Sequence, residues 1–384
     1  MIERARALGP MIQRLGPIIE RDGHLPTELT DQMTAAQIFQ MYLPASLGGP
    51  EVHPLTGFEV AEALTRHDGS VGWCAQVSAA VTVFLAWLDP TALDEMVATT
   101  DGPIHVAGSA RPLGTAVEAP GGYRISGHWN FASGVRHANW FLATAFIDRP
   151  DRRTFARSML VPVSDGDIVG NWDVVGMRGT GSDDFVLDDV FVPTGRVGTR
   201  GWVTQRTEPL YDPRLNMIAA WAPTAGVGIG LARGAIDALT ELGDLTSAGS
   251  PTPLRERPGV QDAVAHAEAI TSGARAFVIE AIGEAWQALV EESPDLDRAI
   301  ARAQLSITFA LNEAVRVADL CFHAAGTNAI SKAHRLERYL RDAHTAVQHA
   351  AGQPIHNQVA GRVLLGIDAG AMDPNRDGPS TPRS

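Results

Sequence analysis

The sequence predicts an α+β protein in three parts: a helical N-terminal region, a small central β-domain and a C-terminal four-helix bundle. Three observations predict it. Apolar residues recur at helical spacing through the first part of the chain. From about 105 to 200, short β-rich runs are separated by Gly pairs and turns. Beyond 215, long Ala-rich amphipathic segments return and persist. The predicted boundaries are 1–104, 105–205 and 206–372, followed by a disordered Pro/Gly/Ser tail over 373–384.

Residues 5–21 set Leu8, Ile12, Leu15, Ile18 and Ile19 on one helical face, and Thr30 or Asp31 can cap a second helix running toward Phe39. A Pro/Gly loop from Tyr42 to Glu51 leads to a helix over 55–67 that ends at His67-Asp68-Gly69. Val71 to Leu88 is almost free of charge, as a buried helix or the wall of a pocket would be. Tyr123 to Trp140 reads as a strand, a tight turn at Gly127, a second strand, and a polar break carrying Ser133 and Gly134. Phe141–Ile147 then resumes strand character until Asp148 and Pro150 stop it. Further β-runs are predicted over Phe155–Val163 and Ile168–Val175, and the segment closing at Pro193 alternates as a one-sided strand does. Bundle helices are predicted at roughly 215–243, 258–291, 295–325 and 331–350.

A formal net charge of −13 argues against nucleic acid or an anionic membrane surface as the main partner. Cys74 and Cys321 are far apart and no Cys/His cluster accompanies them. Buried thiols in a reducing compartment are expected, and no metal site. The N-terminus opens an amphipathic pattern without a secretory apolar core, and no apolar run is predicted to reach the ~20 residues that span a bilayer. A cytoplasmic protein is expected.

Several motifs occur in a particular order: Leu43-Pro-x-x-Leu-Gly-Gly, Asp68-Gly-Ser-x-Gly-Trp73, Gly127-x-Trp-x-Phe-Ala-Ser-Gly134, Arg178-Gly-Thr-Gly-Ser182, Asp189-Val-Phe-Val-Pro193 and Leu340-Arg-Asp-Ala-His344. Each is weak alone, but as a set spanning about residues 5–365 they resemble the acyl-CoA dehydrogenase superfamily. The resemblance implies a flavin held between β-domain and bundle, and usually a homotetramer. The dehydrogenases of that superfamily abstract an α-proton with a bundle glutamate. Laid on their pattern, the base position falls on Ala350, and the alternative position on the first bundle helix falls near Ala220; neither can accept a proton. Histidines stand nearby instead. This departure resembles the flavin-dependent monooxygenase branch, the oxygenase components of two-component hydroxylases. Those take reduced flavin (FMN or FAD) from a separate NAD(P)H:flavin reductase and transfer oxygen from O2 through a C4a-(hydro)peroxyflavin.

The resemblance implies roles for particular residues. Ser133 aligns with the hydroxyl that meets flavin N5, although a serine here also suits capping its own turn. Trp129, Phe131 and Gly134 would lie against the isoalloxazine, with Trp129 and Phe131 on one face; core packing is the competing reading. His349, near the end of the last long helix, would be protonated by the helix dipole and donate, or act as a neutral base, or be a surface cap. His344 is the second choice, since five residues is about 140° around a helix. Asn328 and His323 match the turn that meets a neighbouring subunit's flavin. Arg341-Asp342 reads as a structural ion pair, and 178–182 as β-domain architecture. Residues 76–87 would wall the substrate side with little polarity, lacking the histidine some relatives carry there, which suits an apolar aromatic, polycyclic or amine-bearing substrate. The alternatives are a dehydrogenase or oxidase with an atypical base, and a non-catalytic relative of the fold.

Overall fold

The structure, a computed structural model, describes residues 1–148, 155–198, 204 and 206–367; the predicted tail, Pro150 and residue 205 at the predicted domain boundary lie outside the described residues. Six helices come first: α1 (Ile2–Ala7), α2 (Gly9–Asp22), α3 (Thr27–Ala35), α4 (Pro54–Thr65), α5 (Gly69–Val83) and α6 (Pro90–Thr99). The predicted first helix is broken at Leu8, and Pro10 enters the first turn of α2, where its missing N–H costs no bond. α3 starts after Pro26 rather than at Thr30 or Asp31; the Thr30 hydroxyl instead donates back to the Thr27 carbonyl at 3.1 Å. It also stops short of Phe39, because Gln37 takes a left-handed φ of 61°.

α5 is capped by the buried Asp68, whose carboxylate accepts from the Ser70 and Val71 N–H groups at 2.9 and 3.4 Å. With the short turn that follows, Gly69–Trp87 is 19 residues long and apolar enough to cross a membrane by length and composition, contrary to the sequence expectation; 78% of its most apolar window is buried inside the protein. It is a core helix.

The middle of the chain forms one six-stranded sheet: β1 (Val106–Ala119), β2 (Gly122–Trp129), β3 (Trp140–Asp148), β4 (Phe155–Pro162), β5 (Asp167–Ile168) and β6 (Phe185–Pro193), in the order β4-β3-β1-β2-β6-β5. β1 and β3 run parallel; the other pairs are antiparallel. Two predicted features are absent. β2 runs straight through Gly127, where the irregularity is a register shift against β6 rather than a turn. Gly127 and Gly114 pair across β1 and β2 beneath the Trp129 indole, so that a Cβ on Gly114 would sit 2.3 Å from the ring and one on Gly127 2.6 Å. These glycines serve close approach. The run 168–175 contributes only Ile168 to a strand, since Gly170 at φ 72° turns the chain away.

The helical remainder is α7 (Asn216–Glu241), α8 (Pro258–Val290), α9 (Leu296–Ala325), α10 (Leu336–Ala346) and α11 (Ile355–Leu364). α7 is the axle of this part, buried along most of its length and packed between α4 and α9. A Cβ on Gly226 would meet the Phe58 carbonyl of α4 at 2.2 Å, and one on Gly228 the Ala310 carbonyl of α9 at 2.9 Å. Backbones thus approach directly, at a helix-propensity cost of about 1 kcal/mol per glycine. The predicted last helix ends early, at Ala346, and α11 behind it is an element the sequence pattern did not reveal.

Candidate functional site

Three elements meet at the site. α5 contributes Trp73, the β-domain contributes the turn 131–137, and the end of α10 contributes the turn around His349. The first of these is set by the Asp68 cap, whose carboxylate also faces Arg338 of α10 at 3.2 Å, so the start of α5 is tied to the bundle. From α10, Asp342 accepts a hydrogen bond from the Met177 N–H at 2.5 Å, and Gly176 lies so close that a Cβ there would meet the Arg341 carbonyl at 2.3 Å. Arg341 and Asp342 are therefore not paired with each other, as the sequence suggested. Arg341 pairs with Glu337 and Glu20 at 2.7 and 2.9 Å, because Asp342 is turned inward. Burial, then the neighbouring Asp68 carboxylate, pushes Asp342 up to about 7.

The turn 131–137 is stitched onto the loop 177–183. Phe131 and Gly134 take left-handed φ values of 60° and 78°, and the Ala132 and Gly134 N–H groups donate to the Asp183 and Thr180 carbonyls at 3.1 and 3.0 Å. Arg136 pairs with the buried Asp183 at 2.6 Å. Held this way, the Ser133 hydroxyl is buried. It receives the Trp73 indole N–H at 3.2 Å and lies 2.6 Å from the Ser182 hydroxyl, which lies 2.7 Å from that of Thr180. Ser133 is thus bound across three elements and does more than cap its own turn.

Trp129 and Phe131 do not share a face. Trp129 is fully buried in the sheet core, its indole N–H donating to the Thr144 carbonyl at 2.9 Å, so it supports the turn and has no surface to offer a cofactor. Phe131, 56% exposed, is swung outward by its positive φ and meets Trp172 edge-on at 5.9 Å. Gly134 is buried and supplies the backbone conformation.

The two histidines separate cleanly. His344 is exposed on α10 and pairs with Asp319 of α9 at 3.0 Å. His349 lies past the helix end, where it caps the short turn Ala350–Gly352 by accepting the Ala351 N–H on Nδ1 at 3.2 Å. It is partly buried, with Trp73 and Trp221 packed edge-on at 5.4 and 5.8 Å. This desolvation, with His356 nearby, pushes its pKa down to about 4. The protonated form expected from the helix dipole is overturned: the helix ends three residues earlier, and the aromatic walls dominate. Because Nδ1 accepts, the neutral ring carries its proton on Nε2, which makes it a hydrogen-bond donor rather than a base. Trp221 adjoins Ala220 and His349 adjoins Ala350, so the neighbours of both vacated base positions are in ring contact.

On α5 and the short turn after it, Trp73, Val77, Ala80 and Phe84 are the incompletely buried positions of one face, whereas Gln76, Val81 and Trp87 are buried in the core. Gln76 is used inside the protein, accepting from the Thr224 hydroxyl at 2.9 Å. The apolar wall is thus narrower than the sequence implied. Asn328 lies apart from this assembly, at the end of α9, where its amide donates to the Thr246 carbonyl at 3.1 Å; His323 is exposed on the last turn of α9. Sequence reasoning missed Trp221 and Trp172 and passed over the chemistry of Trp73, Thr180 and Ser182, although the last three stand inside motifs that signalled the fold.

Residues 222–354 match the family described as Acyl-CoA dehydrogenase, C-terminal domain. The chain is 31% identical over 356 residues to indole-3-acetate monooxygenase of Pseudomonas putida, spanning 92% of this chain and 90% of that one. It is 28% identical over 340 residues to the flavin-dependent monooxygenase oxygenase subunit HsaA of Mycobacterium tuberculosis, covering 86% of each. Among solved structures, XiaF from Streptomyces sp., in complex with FADH2 and glycerol, matches with a TM-score of 0.85 at 25% identity over 100% of this chain and 96% of that one. With a neutral, tryptophan-flanked histidine beside the place where the dehydrogenases keep a glutamate, and relatives of this kind along nearly its whole length, the chain belongs to the flavin-dependent monooxygenase branch of the acyl-CoA dehydrogenase superfamily.

Proposed function

We propose that the chain is an oxygenase component that receives reduced FMN or FAD from a separate NAD(P)H:flavin reductase and hydroxylates an apolar aromatic, polycyclic or amine-bearing small molecule. The observation that carries this reading is Trp73, which hydrogen-bonds Ser133 on one side and packs on His349 on the other, joining the cofactor candidate to the substrate candidate. The residues present fit a flavin: a buried hydroxyl with unused acceptor capacity, a Cβ-free turn at Gly134, and the outward Phe131 with Trp172. When bound, the reduced flavin supplies the two electrons with which one atom of O2 enters the substrate and the other leaves as water.

Ser133 would hold the hydrogen on flavin N5, and Phe131 and Gly134 would border the ring. Trp129 supports that border from beneath. His349 donates its Nε2–H to the substrate's oxygen or nitrogen, or to the oxygen being transferred, and its Trp73 and Trp221 walls keep bulk water from competing. The α5 stripe from Trp73 to Phe84 packs the apolar body of the substrate. Asn328 belongs to a site completed by a second copy of the chain. Exposed Phe309 and Ile330 on the helical part suit burial in a homotetramer, or a dimer as the smaller assembly. The buried, unpaired Cys74 and Cys321 suit the cytoplasm.

The test loads the protein anaerobically with reduced flavin, adds O2 with a panel of phenols, indoles and polycyclic aromatics, and quantifies hydroxylated product against hydrogen peroxide. Product formation coupled to flavin oxidation is expected for at least one class. Anaerobic bleaching of bound oxidised flavin by substrate alone would overturn the reading in favour of a dehydrogenase.

A further inference from the structure

We propose that Thr180 and Ser182 fix the direction in which Ser133 hydrogen-bonds, so that Ser133 can only accept from the flavin and the site selects the reduced cofactor. The inference rests on the reading above that Ser133 faces flavin N5. It assigns redox selectivity to two positioning residues that act through Ser133.

The argument is a count of protons. A hydroxyl has one proton and two lone pairs, and a carbonyl has lone pairs only. The Thr180 hydroxyl lies 2.8 Å from the Met177 carbonyl, so its proton must point there; the opposite orientation would press two oxygens together with nothing between them. That carbonyl also receives the Trp172 indole N–H at 3.1 Å, which leaves its acceptor role beyond question. With the Thr180 proton spent, the 2.7 Å contact to Ser182 exists only if Ser182 donates. With the Ser182 proton spent, the 2.6 Å contact to Ser133 exists only if Ser133 donates. The Trp73 indole N–H then takes one Ser133 lone pair at 3.2 Å. Ser133 is left with one lone pair and no proton to give.

All three hydroxyls are buried, with Ser133, Ser182 and Thr180 exposed by 6%, 3% and 1%, so solvent does not reset the order. Flavin N5 carries a hydrogen when reduced and a lone pair when oxidised. The one free lone pair of Ser133 attracts the first and repels the second. A polar pair made in one state and unsatisfied in the other is worth about tenfold or more in relative affinity.

The experiment measures dissociation constants for oxidised flavin and, anaerobically, for reduced flavin, together with the midpoint potential of the bound flavin. Preferential binding of the reduced form raises that potential, so losing the preference lowers it. Ser182→Ala removes the acceptor of the Ser133 proton and lets that proton turn toward oxidised N5. The ratio of oxidised to reduced dissociation constants should fall about tenfold and the potential by about 30 mV, the value of one decade for a two-electron couple. Thr180→Val keeps the side-chain shape, leaves the Met177 carbonyl its Trp172 donor, and should act in the same direction; Thr180→Ser should restore the parent values. Thermal melting confirms that each variant is folded, and Thr180→Val decides the matter if Ser182→Ala is not. Unchanged ratios in both, alongside a shifted ratio in Ser133→Ala, would overturn the relay and leave the N5 assignment standing. An unchanged ratio and potential in Ser133→Ala as well would remove that assignment too.

Discussion

Two polar turns are linked by resemblance to the flavin, 131–137 in the β-domain and 326–330 at the end of α9, and they are built in opposite ways. The first is buried from residue 132 to 135 and tied to other elements by backbone N–H groups, the Ser133 hydroxyl and the Arg136–Asp183 pair. The second lies at the surface: Asn328 reaches the Thr246 carbonyl, Thr327 accepts from the Ala248 N–H at 3.4 Å, and Ile330 is 70% exposed. Desolvating polar groups costs free energy unless each is paired, and the first turn meets that cost through bonds to other elements, with His137 Nε2 left buried and without a partner. The surface turn leaves its isoleucine uncovered within one chain. On the proposed reading, the difference separates the part of the cofactor site that one chain would complete alone from the part that a second copy would complete.

The comparison can be broken by substitution, and the largest effect is expected at the completed site. His349→Ala should leave reduced-flavin binding intact while coupled hydroxylation falls about 10²–10³-fold, the usual loss for one preorganised donor. Because its pKa is pushed down to about 4, turnover should show no His349 ionisation between roughly pH 5 and 8. Undiminished product yield from the alanine variant would place the substrate elsewhere. Ser133→Ala comes next: one lost hydrogen bond to a buried partner should raise the hydrogen peroxide to product ratio about ten- to a hundredfold, read from product and peroxide assays run together.

Asp342 tests how the turn is anchored. The folded state holds its proton up to about 7 against an ordinary 3.8, so between those values the folded protein binds a proton that the unfolded chain has lost. Its contribution to stability is full at low pH and is lost as pH rises through about 7. Asp342→Asn can still accept from Met177 and should flatten the fall in melting temperature between about pH 5 and 7.5; an unaltered slope would mean another group sets it. A smaller effect, under about tenfold in flavin affinity, is expected for Asn328→Ala, and it should vanish on dilution to the monomer by light scattering. Smallest of all, His344→Ala breaks a half-exposed ion pair and should stay within about 0.5 kcal/mol of the parent in stability, with unchanged kinetics.

The order of helical, β and helical parts was legible because periodicity and Gly punctuation are local properties. So was the polar break that holds Ser133 between two strands, since a strand end is itself a local feature. The partners of Ser133 were not: Trp73 is 60 residues away and Ser182 49, and nothing in spacing says that they converge. Gly127 was misread for a related reason, since a glycine bedding an indole across a strand pair looks in sequence like a glycine making a turn. The sequence marked His349 as a neighbour of the vacated base position, but its surroundings are set by Trp73 and Trp221, which come from other helices.

The partly buried stripe along α5 and the turn after it has a consequence for how such a protein diversifies. From Trp73 to Phe84 it advances roughly 16 Å at about 1.5 Å per residue, comparable with the long axis of a polycyclic ring system. On the proposed reading its four side chains would act as graduations on a ruler whose zero is Trp73, which is in ring contact with His349. Ala80 is the smallest mark, and replacing it with a larger residue should shorten the longest molecule admitted without disturbing the zero. If the stripe packs substrate as proposed, substrate length would drift one position at a time, while α7, with glycines set against neighbouring backbones, tolerates no such change.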